Sequence, residues 1–157
     1  MGGPINKAAY VTGTALLTSA GSAGSDVMAA VMIGGMVPPL AIAVSATINK
    51  NIWPKAQRSG ALVNYVMGLS FITEGAIPFA ASNPTRVIPP LFISSGIAGA
   101  LSMTFGAVSK APHGGIFAIL ARAVSNPLMY LLALVIGAVL GALLLIASLS
   151  FGKKIVK

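Results

Sequence analysis

With 157 residues, 8% charged and 56% hydrophobic, and a mean hydropathy of +0.92, the chain is too apolar for a water-soluble domain, where about a quarter of residues are charged. Its net charge of +8 sets ten Lys and Arg against two acids, Asp26 and Glu74, but the cations punctuate apolar runs and form no stripe with stacking aromatics, which argues against a nucleic-acid partner. The chain has no cysteine, so disulfides, thiolate metal sites and a cysteine nucleophile are excluded.

Residues 1–10 lack the apolar core and small-residue cleavage site of a secretory signal, so insertion is expected to rest on internal segments. Residues 8–25 are uncharged but rich in Gly, Ser and Thr, a weak span that would pack tightly or break. Residues 27–48 are a better one, which Pro38-Pro39 is expected to kink or break because proline removes a ladder hydrogen bond. A basic loop follows, with Lys50, Lys55 and Arg58; it reads as a positive-inside loop and as a docking surface for an acidic partner or anionic lipid.

From Gly60 to Pro90 the apolar run is interrupted by Gly68, Gly75, Pro78, Pro84 and Pro89-Pro90, with Glu74 near its centre, the pattern of a re-entrant or discontinuous segment. Residues 91–109 would form a shorter crossing. Ala111-Pro112-His113-Gly114-Gly115 opens a second break before residues 116–121. Residues 127–151 are the clearest span, about 37 Å long at 1.5 Å per residue, enough to cross a bilayer core with tilt. Within this span Ala133, Gly137 and Gly141 form a small-residue stripe that admits a close helix neighbour. The fold class expected is therefore an all-α integral membrane protein with broken or re-entrant segments around Glu74 and His113. If residues 60–85 dip in and return, Lys50, Lys55, Arg58, Arg86, Lys153, Lys154 and Lys157 share one face, which the positive-inside rule makes cytoplasmic.

Glu74, the only Glu, stands in this apolar run beside Thr73 and Gly75. A carboxylate at membrane depth costs several kcal/mol unless paired, hydrated or protonated, so it faces a cavity, where it can accept bonds from two vicinal sugar hydroxyls. The alternative is an interfacial Glu paired with Arg86 or Lys50. His113, the only His, is suited to a sugar hydrogen bond or proton exchange, or simply caps the segment after it; no acid nearby in sequence supports a metal site or a serine triad. Asn6 and Lys7 place donors at the edge of the first apolar stretch, where an interfacial anchor is the plainer reading.

Several ordered blocks resemble one family: residues 3–10 (GPINKAAY), Met28 to Met32 leading to Gly35-Met36-Val37-Pro38-Pro39-Leu40, residues 68–81 (GLSFITEGAIPFAA), residues 86–89 (RVIP) and residues 111–117 (APHGGIF). They are similar to the fructose-family membrane subunit, enzyme IIC, of the bacterial phosphoenolpyruvate-dependent phosphotransferase system. The resemblance covers nearly the whole chain, and the Ile72-Thr73-Glu74-Gly75-Ala76-Ile77-Pro78-Phe79 block is its most specific part.

The resemblance implies import of fructose or a related sugar with concomitant phosphorylation, by a multi-pass protein of the bacterial inner membrane with a cytoplasmic C-terminus. The phosphoryl donor would be a IIB partner charged by IIA. No cofactor, no metal and no catalytic residue of the chain's own are expected, and a homo-oligomer is. Glu74 falls on the family's sugar-binding carboxylate, with Thr73 beside it in the same block and His113 and Asn6 in motif blocks near the expected site. The stretch Ser22 to Asp26 departs from the family's pattern. The chain would be the C-terminal portion of a IIC domain, its N-terminal helices carried by another chain or lost in a fragment. The alternative is a non-transporting remnant or interaction subunit.

Overall fold

A computed structural model describes residues 4–19 and 24–155, with side chains described for residues 8–19 and 24–151. In chain order the elements are α1 (Pro4–Ser19), α2 (Asp26–Ile48), α3 (Lys55–Leu69), a 3-10 turn (Thr73–Ala76), α4 (Ile77–Ser82), α5 (Pro84–Thr104), α6 (Ile116–Leu120) and α7 (Pro127–Ile155). Among the described residues every regular element is helical, as expected. Three helices, α2, α5 and α7, are long and apolar enough to cross a membrane.

α2 is the hub, packing on α1, α3, α5, α7 and the 3-10 turn. Its start is set by Ser25, whose hydroxyl accepts from the Met28 amide at 3.2 Å, and by Asp26, an acid in the first turn. Because α2 is apolar on every side, it can be buried on every side. α5 and α7 instead present outer faces of exposed large apolar residues, among them Phe92, Ile93, Val135 and Leu143, which suit a lipid environment. The small stripe of α7 finds its neighbours within the chain. A Cβ on Gly137 would come within 2.5 Å of Ala98 Cβ, and one on Gly141 within 2.8 Å of Ala41 Cβ and 2.7 Å of Ser94 Oγ, so both glycines let α7 seat against α2 and α5.

Pro38 and Pro39 do not break α2, nor do Pro89 and Pro90 end a segment: both pairs lie inside helices. The crossing expected over residues 91–109 therefore begins at Pro84, a good first helical residue, and ends at Thr104. The reason lies in other elements. Pro39 frees the carbonyl of Gly35, four residues back, and the Thr73 hydroxyl donates to it at 2.8 Å. Pro90 likewise frees the carbonyl of Arg86, which accepts from the Ser148 hydroxyl of α7 at 2.9 Å. These two orphaned acceptors are thus satisfied by hydroxyls far away in sequence. Thr73→Val, which keeps the shape but not the donor, should cost about 1–3 kcal/mol by leaving the Gly35 carbonyl unpaired. Thermal unfolding of the purified protein checks this: Thr73→Ser should melt like the parent, and equal melting of the Val variant would refute the role.

The first apolar stretch, expected over residues 8–25, is helical as α1 over Pro4–Ser19; residues 20–23 lie outside those described. At the end of the bundle where α2 and α7 begin and α5 finishes, Ser25 exchanges two backbone hydrogen bonds with Ser109 (2.8 and 2.9 Å). Lys110 and Ser125 there bond the backbone of Ala123 and Val108. The opposite end gathers Lys50, Lys55, Arg58 and Arg86, leaving Lys110 and Arg122 at the clasped end.

Candidate functional site

Between α2 and α5 the chain makes a helical hairpin. α3 leaves the basic end at Lys55, and α4 is back there by Asn83, since both residues line one cleft. The hairpin's tip, residues 70–76, carries Thr73 and Glu74. It reaches α2 at Gly35, near the middle of that helix, through the Thr73 hydrogen bond.

The tip closes on the loop that carries His113. Phe71 holds a left-handed backbone (φ 63°), a conformation costing a bulky residue about 1–3 kcal/mol. Its ring is wedged between two glycines: a Cβ on Gly35 or on Gly114 would lie 2.6 Å from it. On the loop side the ring sits beside the His113 imidazole, centroids 6.2 Å apart. Gly115 follows at φ 84° and ψ 176°, a region open only to glycine, directly against the Leu69 carbonyl. The Tyr10 hydroxyl of α1 donates to the Pro112 carbonyl at 2.9 Å, so the first helix is tied to the same loop.

Glu74 faces away from this junction. Its side chain is exposed and lines a cleft of about 460 Å³ with Gln57, Gly60, Val63, Met67, Ile72, Gly75, Pro78 and Phe79. Among the described residues no cation lines that cleft. Arg86, one ion-pair partner considered for it, instead donates to the Ser148 carbonyl at 3.1 Å and lines the other cleft, while Lys50 lies exposed in the loop after α2.

Thr73 and His113 do not line the Glu74 cleft. Thr73 is half-buried with its hydroxyl committed to Gly35, and His113 is exposed, with Nδ1 2.7 Å from the Gly114 carbonyl. The structure therefore brings Thr73, Phe71 and His113 together and sets Glu74 on the other side of the tip. Asn6 lies in the first turns of α1, but its side chain is outside the described residues.

Of the cations proposed for docking, Lys55 and Arg58 meet at the basic end and Lys50 is exposed nearby. Two residues of the site escaped the sequence reading. Phe71 carries no sequence signal, because its role lies in its backbone angle. Asn64 is wholly buried with both polar side-chain atoms unpartnered, and its Oδ1 occupies the space that a Cβ on Gly75 would need. A lone Asn in the apolar stretch between Gly60 and Gly68 was the signal that could have found it. An unpaired buried amide costs about 1–3 kcal/mol, so its place behind the Glu74 turn calls for a polar partner.

No family model and no solved structure matches the chain. Curated proteins do. The chain is 51% identical over 146 residues to the "PTS system fructose-specific EIIB'BC component" of Xanthomonas campestris, covering 92% of this chain and 25% of that protein. It is 46% identical over 145 residues to the "Fructose permease IIC component" of Bacillus amyloliquefaciens (92% and 46%). A third relative, the "PTS system fructose-specific EIIC component" of Haloferax volcanii, is 44% identical over 145 residues (92% and 37%). The chain thus spans between a quarter and a half of the length of these relatives. With identity at this level over nearly all its residues, the chain is a homologue of one part of these proteins, which are named as fructose components of the phosphotransferase system.

Proposed function

We propose that the chain is the sugar-binding, C-terminal part of a phosphoenolpyruvate-dependent permease that takes up fructose or a related sugar and presents it for phosphorylation. The single observation that carries this reading is Glu74: a carboxylate with no cation beside it among the described residues, on a helix-interrupting tip packed near the middle of the bundle's most buried helix, and open to a cleft of about 460 Å³. Such a group suits vicinal hydroxyls better than a charged solute. The hairpin of α3 and α4 is then a re-entrant element, and the His113 loop its counterpart from the other side.

In this reading Glu74 grips two hydroxyls. Phe71 couples the tip to the His113 loop, so closure over the sugar moves both broken segments together. The buried Asn64 amide waits behind the turn as a second hydrogen-bonding group. The chain supplies orientation, which is most of what a phosphoryl transfer asks of its acceptor side. The donor is a IIB partner carrying phosphocysteine, recharged by IIA; relatives named as fused EIIB'BC and EIIABC components support such partners. The cations gathered at the end that holds Lys50, Lys55, Arg58 and Arg86 support placing that end, and the C-terminus, in the cytoplasm of a bacterial inner membrane.

Membrane vesicles bearing the chain, supplied with matched IIA, IIB and phosphoenolpyruvate, should accumulate fructose as a phosphate ester. If accumulation requires co-expression of an N-terminal IIC segment, the chain is one half of a split permease. Uptake of unmodified sugar without IIB would overturn the group-translocation reading.

A further inference from the structure

At the basic end lies a second cleft, of about 600 Å³, walled by the loop after α2 (Asn51 to Pro54), the start of α3, the Ser82-Asn83 turn, Arg86 and Leu149. Lys55, Arg58 and Arg86 all line it, and the chain's only carboxylate side chains, Asp26 and Glu74, do not. Both guanidinium groups are held in place by neutral acceptors. Arg58 donates to the Trp53 carbonyl (3.3 Å) and to Asn51 Oδ1 (2.9 Å), and Arg86 to the Ser148 carbonyl (3.1 Å). These bonds fix the positions of the cations without neutralising them.

Two helix N-termini open onto the same space. α3 starts after Pro54 and α5 after Asn83, and neither has a side-chain cap, so the partial positive charge at each start adds to that of the three side chains. The wall behind is rigid. Trp53 is buried, donates from Nε1 to Ser45 Oγ at 3.0 Å and meets the Phe79 ring edge-on at 4.9 Å. Phe79 and Gln57 in turn line the Glu74 cleft, and Gln57 lines both clefts.

We propose that this cleft is an anion site that takes the phosphoryl group of a phosphate monoester. Preset guanidinium groups, a flexible ammonium and two uncapped helix starts, with no acid among them, form the donor set that such a dianion satisfies. In the permease the occupant is the sugar phosphate formed at the neighbouring Glu74 cleft, reached across the shared Gln57 wall. That choice of occupant rests on the transport reading; the anion site itself rests only on the cleft.

Trp53, the only Trp in the chain, makes the test direct. The protein in nanodiscs of zwitterionic phosphatidylcholine is titrated with inorganic phosphate and with fructose 1-phosphate at constant ionic strength, with chloride and unphosphorylated fructose as controls, and Trp53 emission is followed. A saturable change with both phosphates and with neither control is expected. Arg58→Gln and Arg86→Gln should each raise the apparent Kd at least about tenfold, the loss of a charge-assisted hydrogen bond. Because Arg86 also bonds Ser148, Lys55→Gln provides a variant whose ammonium makes no hydrogen bond within the described residues; it should weaken binding severalfold with an unchanged melting temperature. Glu74→Gln should bind inorganic phosphate as the parent does even where transport is lost, which separates this site from the sugar site. The proposal is overturned by the lack of any saturable response, by an unchanged Kd in all three cation variants, or by a response confined to anionic phosphatidylglycerol nanodiscs that phosphate does not compete away.

Discussion

Glu74→Gln is expected to lower fructose uptake and phosphorylation at least about a hundredfold while leaving the protein folded. An ionised carboxylate accepts hydrogen bonds from two vicinal hydroxyls, each worth about 1.5–3 kcal/mol when the acceptor is charged. The amide keeps one acceptor, loses the charge and turns a donor toward a hydroxyl. A loss of about 3 kcal/mol follows, and at about 1.4 kcal/mol per tenfold this gives the hundredfold. Stability should change little, because the side chain is exposed on the cleft wall and, among the described residues, no cation lines that cleft. Initial rates of labelled-fructose uptake, normalised to membrane-inserted protein, measure the effect. Retention of more than a tenth of the parent's rate would rule out Glu74 as the main sugar contact. Glu74→Asp, which keeps the charge but draws it back, should fall between the two.

Gly115→Ala should be strongly damaging for the addition of a single methyl. At φ 84° and ψ 176° an L-residue is strained by about 1–3 kcal/mol. The added Cβ would also lie 2.8 Å from the Leu69 carbonyl oxygen and 3.1 Å from the Ser70 carbonyl carbon, backbone atoms that cannot swing aside. Overpacking of this kind adds about 1–3 kcal/mol. The melting temperature should fall by on the order of 10 °C, and transport with it, since the His113 loop must back away from the tip to make room. Gly96→Ala is the matched control: it lies inside α5 with nothing within 4 Å of its Cβ position, so it should be neutral or slightly stabilising. A melting temperature for Gly115→Ala equal to that of Gly96→Ala would show that the tip and loop are not packed as described.

How much could be read in advance differs from element to element. The stretches expected over residues 27–48 and 127–151 are the helices Asp26–Ile48 and Pro127–Ile155 almost residue for residue, because uninterrupted apolar length is a local property that burial in lipid or protein rewards directly. α5 was misplaced at its start because Pro89-Pro90 reads locally as a stop. What lets the helix continue is a hydroxyl on Ser148, which no window around the prolines contains. The same applies to Pro38-Pro39 and Thr73.

Within the candidate site, Glu74 and His113 stood out by rarity, being the only Glu and the only His of an apolar chain. Their arrangement did not follow from it. That Glu74 and His113 lie on opposite sides of the tip depends on the Phe71 backbone and on the glycines that receive its ring. Arg86 was legible as a positive-inside charge, but its meeting with Lys55 and Arg58 required the hairpin to return to its starting end.

The bond between Thr73 and Gly35 also limits how the hairpin can move. Along a regular helix each carbonyl already accepts from an amide and a hydroxyl must share it, as Ser45 and Thr47 do within α2, whereas the prolines leave the Gly34 and Gly35 carbonyls without an amide donor. Displaced by a full turn, about 5.4 Å, Thr73 would leave the Gly35 carbonyl without its donor and could bond only a carbonyl already shared with an amide. The proline pair therefore works as a detent in the helix. It holds the tip to one point of α2, so a movement of the hairpin that keeps this bond would turn about Gly35.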